Sequence, residues 1–218
     1  MQPVNSNIVR IAAVALVLVS SDAYAQRGEK AEAGARVTIV TAGGEPANDI
    51  IGTGVFARFR LDERWWVGGA VDAAHHDFEV PTRLLGLEQP PGEDVVDAKV
   101  DTTIISAFVE RQQGRLDAPI LWFWGIGLGV GLPEADDVTG PLADGGTFDI
   151  TTDAGTEIVA SAALGLKWRP FRRLSIELAA RVDHHFSEWS VTDRVSGRTG
   201  ATGDYTGIGG HFSLGYRF

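Results

Sequence analysis

Cysteine is absent from the 218 residues and methionine occurs once. Without cysteine there is no disulfide framework, thiolate metal centre, cysteine nucleophile or lipid-carrying N-terminal cysteine. Long apolar runs are also missing: a membrane-spanning helix needs about 20 such residues, and the longest unbroken run is Ile11 to Val19. Positive charge is scarce. Nineteen Lys and Arg against 29 Asp and Glu leave a formal net charge of −10, which argues against nucleic acid as a partner, since its phosphate backbone is bound through clustered Lys and Arg. Glycine, by contrast, occurs 27 times beside six tryptophans, and 44% of the chain is hydrophobic. That is too apolar for a disordered chain, and the length suits one β-barrel or sandwich domain.

The apolar run follows Arg10 and is followed by Ala23-Tyr24-Ala25. Small residues at positions 23 and 25 fit signal-peptidase cleavage before Gln26, so residues 1–25 are expected to be an export signal and 26–218 the mature domain.

Read for a period of two, the mature chain divides into segments 32–41, 50–61, 65–79, 97–112, 119–132, 155–169, 174–189 and 204–218. Three connections are short: Asp62-Glu63-Arg64, Gln113 to Ala118, and Pro170 to Arg173. The connections 42–49, 80–96, 133–154 and 190–203 are long and polar, and the two kinds alternate. Segment faces are distinct. Ile158, Ala160, Ala162, Leu164, Leu166 and Trp168 oppose Glu157, Ser161, Gly165, Lys167 and Arg169. Ile176, Leu178, Ala180 and Val182 oppose Glu177, Arg181, Asp183 and His185. In 119–132, bulky apolar residues such as Ile126 and Leu128 oppose glycines. A soluble barrel would bury the bulky face. A membrane barrel turns it to lipid and fills a narrow interior with small and mutually neutralising charged groups.

Trp65, Trp66, Trp122, Trp124 and Trp168 lie near the short connections, as does Tyr216, forming an expected aromatic girdle at one membrane interface. Phe212, Leu214, Tyr216 and Phe218 alternate with His211, Ser213, Gly215 and Arg217 to the last residue. In this pattern the chain resembles the small outer-membrane β-barrel superfamily of eight-stranded OmpA/OmpX-type proteins. The resemblance implies an all-β, eight-stranded antiparallel up-and-down transmembrane barrel in the bacterial outer membrane, with outer-membrane lipid around it. It also implies that Phe218 is the signal read by the barrel assembly machinery. No peptidoglycan-binding domain is expected after the last strand.

The inferred inward set is Arg58, Arg60, Asp72, His76, Glu157, Lys167, Arg169, Glu177, Arg181, Asp183 and His185. Because a buried unpaired charge costs several kcal/mol, these groups are expected to pair across the lumen. Asp72 would meet Arg181, and Glu177 would lie level with Arg58 and Lys167. The expected function is accordingly non-enzymatic: a plugged barrel whose long loops meet an unknown extracellular ligand or support the envelope, with a narrow small-solute channel as an alternative.

Two further chemistries are open. His76 and His185, with Asp72 and Asp183 on the same faces, have the donor types of a zinc-like ion site; a hydrogen-bonded His/Asp layer is the plainer reading, and no metal or other cofactor is expected. Separately, Arg181 precedes His185-Phe186-Ser187, which resembles the His-x-Ser pair of outer-membrane lipid A deacylases. That resemblance implies an ester hydrolase with His185 as base, Ser187 as nucleophile and Asp183 or Glu188 as acidic partner; Glu188 stands where that family has Asn. Loop 133–154 carries Glu134, Asp136, Asp137, Asp144 and Asp149 without Lys or Arg. It lacks EF-hand spacing and reads as a solvated surface.

Overall fold

The structure, a computed structural model, describes residues 30–43, 49–81, 95–115, 118–142 and 145–218. The expected signal segment 1–25, most of loop 80–96 and Asp144 lie outside the described residues. The described elements are β1 (Ala31–Gly43), β2 (Asp49–Arg60), β3 (Trp65–Pro81), β4 (Val95–Gln113), β5 (Ile120–Ala135), β6 (Val138–Pro141), β7 (Thr147–Ala154), β8 (Glu157–Phe171), β9 (Leu174–Phe186), β10 (Trp189–Asp193), β11 (Thr199–Thr202) and β12 (Tyr205–Arg217).

Eight of these close an antiparallel barrel in the ring order β1-β12-β9-β8-β5-β4-β3-β2. They correspond to the eight alternating segments of the sequence. The period of two does what it must in a closed sheet, sending alternate side chains to opposite faces. Outward go Ile126, Leu128, Leu164, Leu178 and Ile208, all well exposed, with Leu128 at 65%. Inward go Arg58, Glu110, Lys167 and Glu177, all nearly inaccessible. This is the inverse of a soluble barrel and the arrangement of one set in lipid.

Short connections are built locally. Asp62 Oδ1 accepts the backbone N–H groups of Arg64 at 2.7 Å and Trp65 at 2.8 Å, closing the β2–β3 turn. After β4 the chain reverses through Gly114, whose φ of 110° suits glycine best.

At the opposite end the structure departs from expectation. The connections 133–154 and 190–203 are not simple loops, and segment 174–189 is not one strand. Strand β9 ends at Phe186, and β6, β7, β10 and β11 form a second sheet in the order β11-β10-β7-β6. That order repeats the barrel order β12-β9-β8-β5. Each of the four barrel strands is joined to its small-sheet neighbour by two residues: Asp136-Asp137, Gly155-Thr156, Ser187-Glu188 and Gly203-Asp204. One wall of the barrel therefore continues past a crease. Phe148, Ile150, Trp189 and Val191 from the small sheet pack with Ala98 and Val100 of β4.

Candidate functional site

The lumen holds the chain's densest chemistry, beginning above the short turns. Arg58, from β2, donates through Nη1 to Glu110 Oε2 at 2.5 Å and through Nη2 to Glu32 and Glu177. Lys167 Nζ lies 2.9 Å from Glu110 Oε1 and 2.7 Å from Glu177 Oε1. Ser175 donates to Glu32 at 2.5 Å, Ser213 to Glu177 at 3.0 Å and Gln112 to Glu110 at 2.7 Å. Five charges from five strands thus occupy one layer. Each would cost several kcal/mol to bury alone, and the network compensates by giving every carboxylate a cation. Beneath it the Trp66 ring lies within 5.8 Å of Arg58 and 5.7 Å of both Lys167 and Arg217. The Glu177, Arg58 and Lys167 side chains therefore meet. Trp66 is not in the outer girdle: adjacent residues on a strand face opposite ways, and with Trp65 outward Trp66 is 1% exposed inside.

One level up, Asp72 does not meet Arg181. Its carboxylate takes Arg36 Nε at 2.6 Å and also Arg36 Nη2. Arg181 Nε instead binds Asp183, two residues along the same face, at 2.7 and 2.8 Å. Register explains the first pairing. Arg36, Gly54 and Asp72 stand side by side on β1, β2 and β3. A side chain on Gly54 would overlap the Asp72 carboxylate; its absence opens a path across β2, shorter than the path across the barrel. Between this level and the lower layer is a cavity of about 60 Å³, lined by Arg36, Arg58, Phe123, Glu177, Arg181 and His211 among others. That is room for a few waters.

Toward the long-loop end the filling becomes apolar: Val40, Ile50, Ala74, Ile104, Val159 and Tyr205 form one buried cluster. Above it, Glu157 ties barrel to cover, accepting Trp189 Nε1 at 2.9 Å while its other oxygen lies 2.8 Å from His185 Nδ1. The stacked Tyr205 hydroxyl is also 2.9 Å from His185 Nδ1. His76 is buried, with both ring nitrogens lacking a hydrogen-bond partner and its ring 6.1 Å from Trp189 and 6.3 Å from Tyr205. Asp72 and Asp183 are committed to arginines lower down. Among the described residues no group of three or more His, Cys, Asp or Glu is placed to hold a metal ion.

The hydrolase set is likewise not assembled. Ser187 lies past the end of β9 in one of the two-residue joints. Its hydroxyl donates to the Gly203 carbonyl at 3.3 Å and its N–H to Asp204 at 3.0 Å, while Glu188 is exposed to solvent. His185 is occupied by Glu157 and Tyr205, so no base addresses the hydroxyl. On the outer surface Trp122, Trp168, Tyr216 and Phe218 are exposed, and Trp65 and Trp124 meet edge to face at 5.4 Å. The backbone of Phe218 joins the barrel seam, its N–H donating to Ala31 O at 2.8 Å.

Glu32, Arg36 and Glu110 are lumen residues that the sequence reading did not single out. Glu110 had a signal, since it alternates with the outward Val109 and Arg111. Outside the barrel, the acidic loops are partly neutralised: Asp137 binds Arg194 at 2.8 Å. The Thr151 hydroxyl and Arg194 hold its carboxyl below the usual range. Burial of Asp193 would raise its pKa. The Ser196 side chain and the N–H groups of Asp149, Ser196 and Val195 outweigh that and lower it.

No family model matches the chain, and no curated protein matches it. Among solved structures it is similar to the outer membrane protein OprG from Pseudomonas aeruginosa, with a TM-score of 0.61 at 9% identity over 88% of this chain and 96% of that one. It is also similar to a major outer membrane protein from Thermus thermophilus, with a TM-score of 0.51 at 13% identity over 86% and 99% respectively. At such identities the likeness is one of fold. The chain has the fold of the small bacterial outer-membrane barrels.

Proposed function

We propose that this protein is a non-enzymatic barrel of the bacterial outer membrane, exported with residues 1–25 as a cleaved signal and inserted by the barrel assembly machinery. Its lumen is a structural plug, and its long-loop end meets the exterior, contacting a surface ligand or reinforcing the envelope. The observation that carries this reading is the combination of an exposed apolar belt with Arg58 held by three carboxylates across the lumen. An ion path would have to break that layer and pass the apolar cluster and cover above it. A solute channel is therefore the weaker reading, and a hydrolase lacks an addressed nucleophile.

The test is reconstitution of the mature protein in a planar bilayer, with parallel fractionation of cells. Recovery in the outer-membrane fraction, an N-terminus at Gln26 and no steady conductance are expected. A large stable conductance would replace the plug with a channel. Loss of an acyl chain from lipid A only in cells carrying the protein would make it an enzyme.

A further inference from the structure

The two ends of the barrel carry opposite charge. Among the described residues, Lys30, Arg64, Arg115, Arg172 and Arg173 are exposed at the short-turn end against Asp62 and Glu63. At the long-loop end, Asp101, Asp136, Asp137, Asp153, Glu188 and Asp204 are exposed against Lys99, Arg194 and Arg198. On one side of the basic end the cations are built into the aromatic girdle. Register places Trp65 beside Arg111 and Arg111 beside Trp124, a row across β3, β4 and β5. All three point away from the lumen, because Trp66, Glu110 and Phe123, their chain neighbours, point in. The Arg111 guanidinium carbon lies 5.4 Å from the centre of the Trp65 ring, and Arg111 Nε has no hydrogen-bond partner. Arg64 precedes Trp65 directly, and Arg115 follows β4 by two residues.

Indole rings settle at the level of lipid headgroups. A guanidinium fixed against one of them is at the level of the phosphate layer. We infer that the Trp65–Arg111–Trp124 row, with Arg64 and Arg115 beside it, is a binding site for an anionic phospholipid headgroup in the leaflet at the short-turn end. Glu63 and Asp62 are opposing charges in the adjoining turn, and Asp62 is the one with backbone partners. The N–H groups of Arg64 and Trp65 lower its pKa and occupy one of its oxygens, so it serves the turn. The phosphate bonds the arginine and the aromatic faces receive the upper acyl chain. A net negative headgroup is preferred because Arg111 is set in the girdle, with Arg64 and Arg115 exposed at the adjoining turns.

The inference rests on the membrane placement proposed above, and the experiment separates the two. Native mass spectrometry of the detergent-solubilised barrel, given equal phosphatidylglycerol and phosphatidylcholine, reads which lipid occupies the first adduct. Phosphatidylglycerol is expected to lead about fivefold, the increment of one basic side chain near an anionic surface, and the lead should shrink at high salt. Arg111→Gln should abolish the lead, whereas Arg172→Gln, at a different turn, should leave it. Should Arg111→Gln fail to refold, the exposed-turn double variant Arg64→Gln/Arg115→Gln must lower the lead. Equal occupancy in the unmodified protein, equal loss in the Arg111 and Arg172 variants, or an unchanged lead in the double variant overturns the site. Failure of the unmodified protein to insert into vesicles of the same two lipids, measured in parallel, overturns the membrane placement instead.

Discussion

Gly54→Ala is the sharpest perturbation of the lumen, because it adds one methyl group where the Arg36–Asp72 pair crosses β2. The new Cβ would overlap the Asp72 carboxylate and lie 2.5 Å from the Val71 carbonyl oxygen. The carboxylate must swing away, leaving Arg36 and Asp72, both mostly buried, without each other. Separating a buried pair costs about 3–5 kcal/mol, less if water from the adjoining cavity reaches Arg36. Gly52→Ala supplies the comparison on the same strand and face, where a Cβ would meet nothing nearer than 3.6 Å. That change should be neutral or stabilising by about 0.4–1 kcal/mol through the unfolded chain. Urea unfolding from vesicles, followed by tryptophan fluorescence, reads both. With a slope of about 1–3 kcal/mol per molar urea, the Gly54 variant should lose about 1 M or more in midpoint. In an Asp72→Ala background the part of the Gly54→Ala effect that comes from the displaced carboxylate should vanish, leaving the cost of the close approach to the Val71 carbonyl oxygen. Equal midpoints for the two alanine variants, or an undiminished Gly54 effect in the double variant, would refute the row as the reason Asp72 chooses Arg36.

On the lipid face, Leu164→Arg should destabilise the inserted barrel by about 2–4 kcal/mol if Leu164 lies near the bilayer midplane, measured by the same unfolding assay against an unmodified control. Deleting Phe218 should lower the fraction of protein inserted in cells, read by heat-modifiable mobility on gels; an unchanged yield counts against its role as assembly signal. The small outer sheet should loosen in acid. Because the folded-state pKa of Asp193 is depressed, its contribution is present above the ordinary carboxylate value of about 3.9 and fades as pH falls through the lower folded value. Protease susceptibility of the 194–198 hairpin should rise in that window, and Asp193→Asn should remove the step.

The barrel was legible because alternation is enforced on both faces by physics, lipid outside and a crowded interior inside, over strands twelve or more residues long. Parity then placed Arg58, Lys167, Glu177 and His185 correctly inward. It failed where parity was not applied to neighbours: Trp65 and Trp66 cannot both face lipid. It failed again for Asp72, whose partner depends on register across a glycine rather than on strand opposition. The small sheet was missed because β6 and β11 span four residues each and are rich in Thr and Gly. Yet Phe148 and Ile150 alternating with Asp149 and Thr151, and Trp189 and Val191 with Ser190 and Thr192, carried the signal. Ser187 looked like part of a strand because the two-residue joint preserves the alternation on either side of it.

The pairing of β1 with β12 has a kinetic consequence. Glu32 lies opposite Arg217, so the seam joins segments from the two extremes of the described chain. Closure therefore waits for the final strand to be made, and contacts of such sequence separation form slowly. Glu32 stands on one side of that seam, while Arg217 and Ser213 stand on the other and Ser175 and Glu177 one strand further. The ionic layer is completed only in the step that shuts the ring. Until then Arg58 has Glu32 beside it on β1 and Glu110 nearby on β4 but not Glu177 across the gap, and an open intermediate presents uncompensated charge beside unpaired strand edges. Closure is thus the event that neutralises the interior, which couples topological completion to electrostatic completion and disfavours partly zipped barrels.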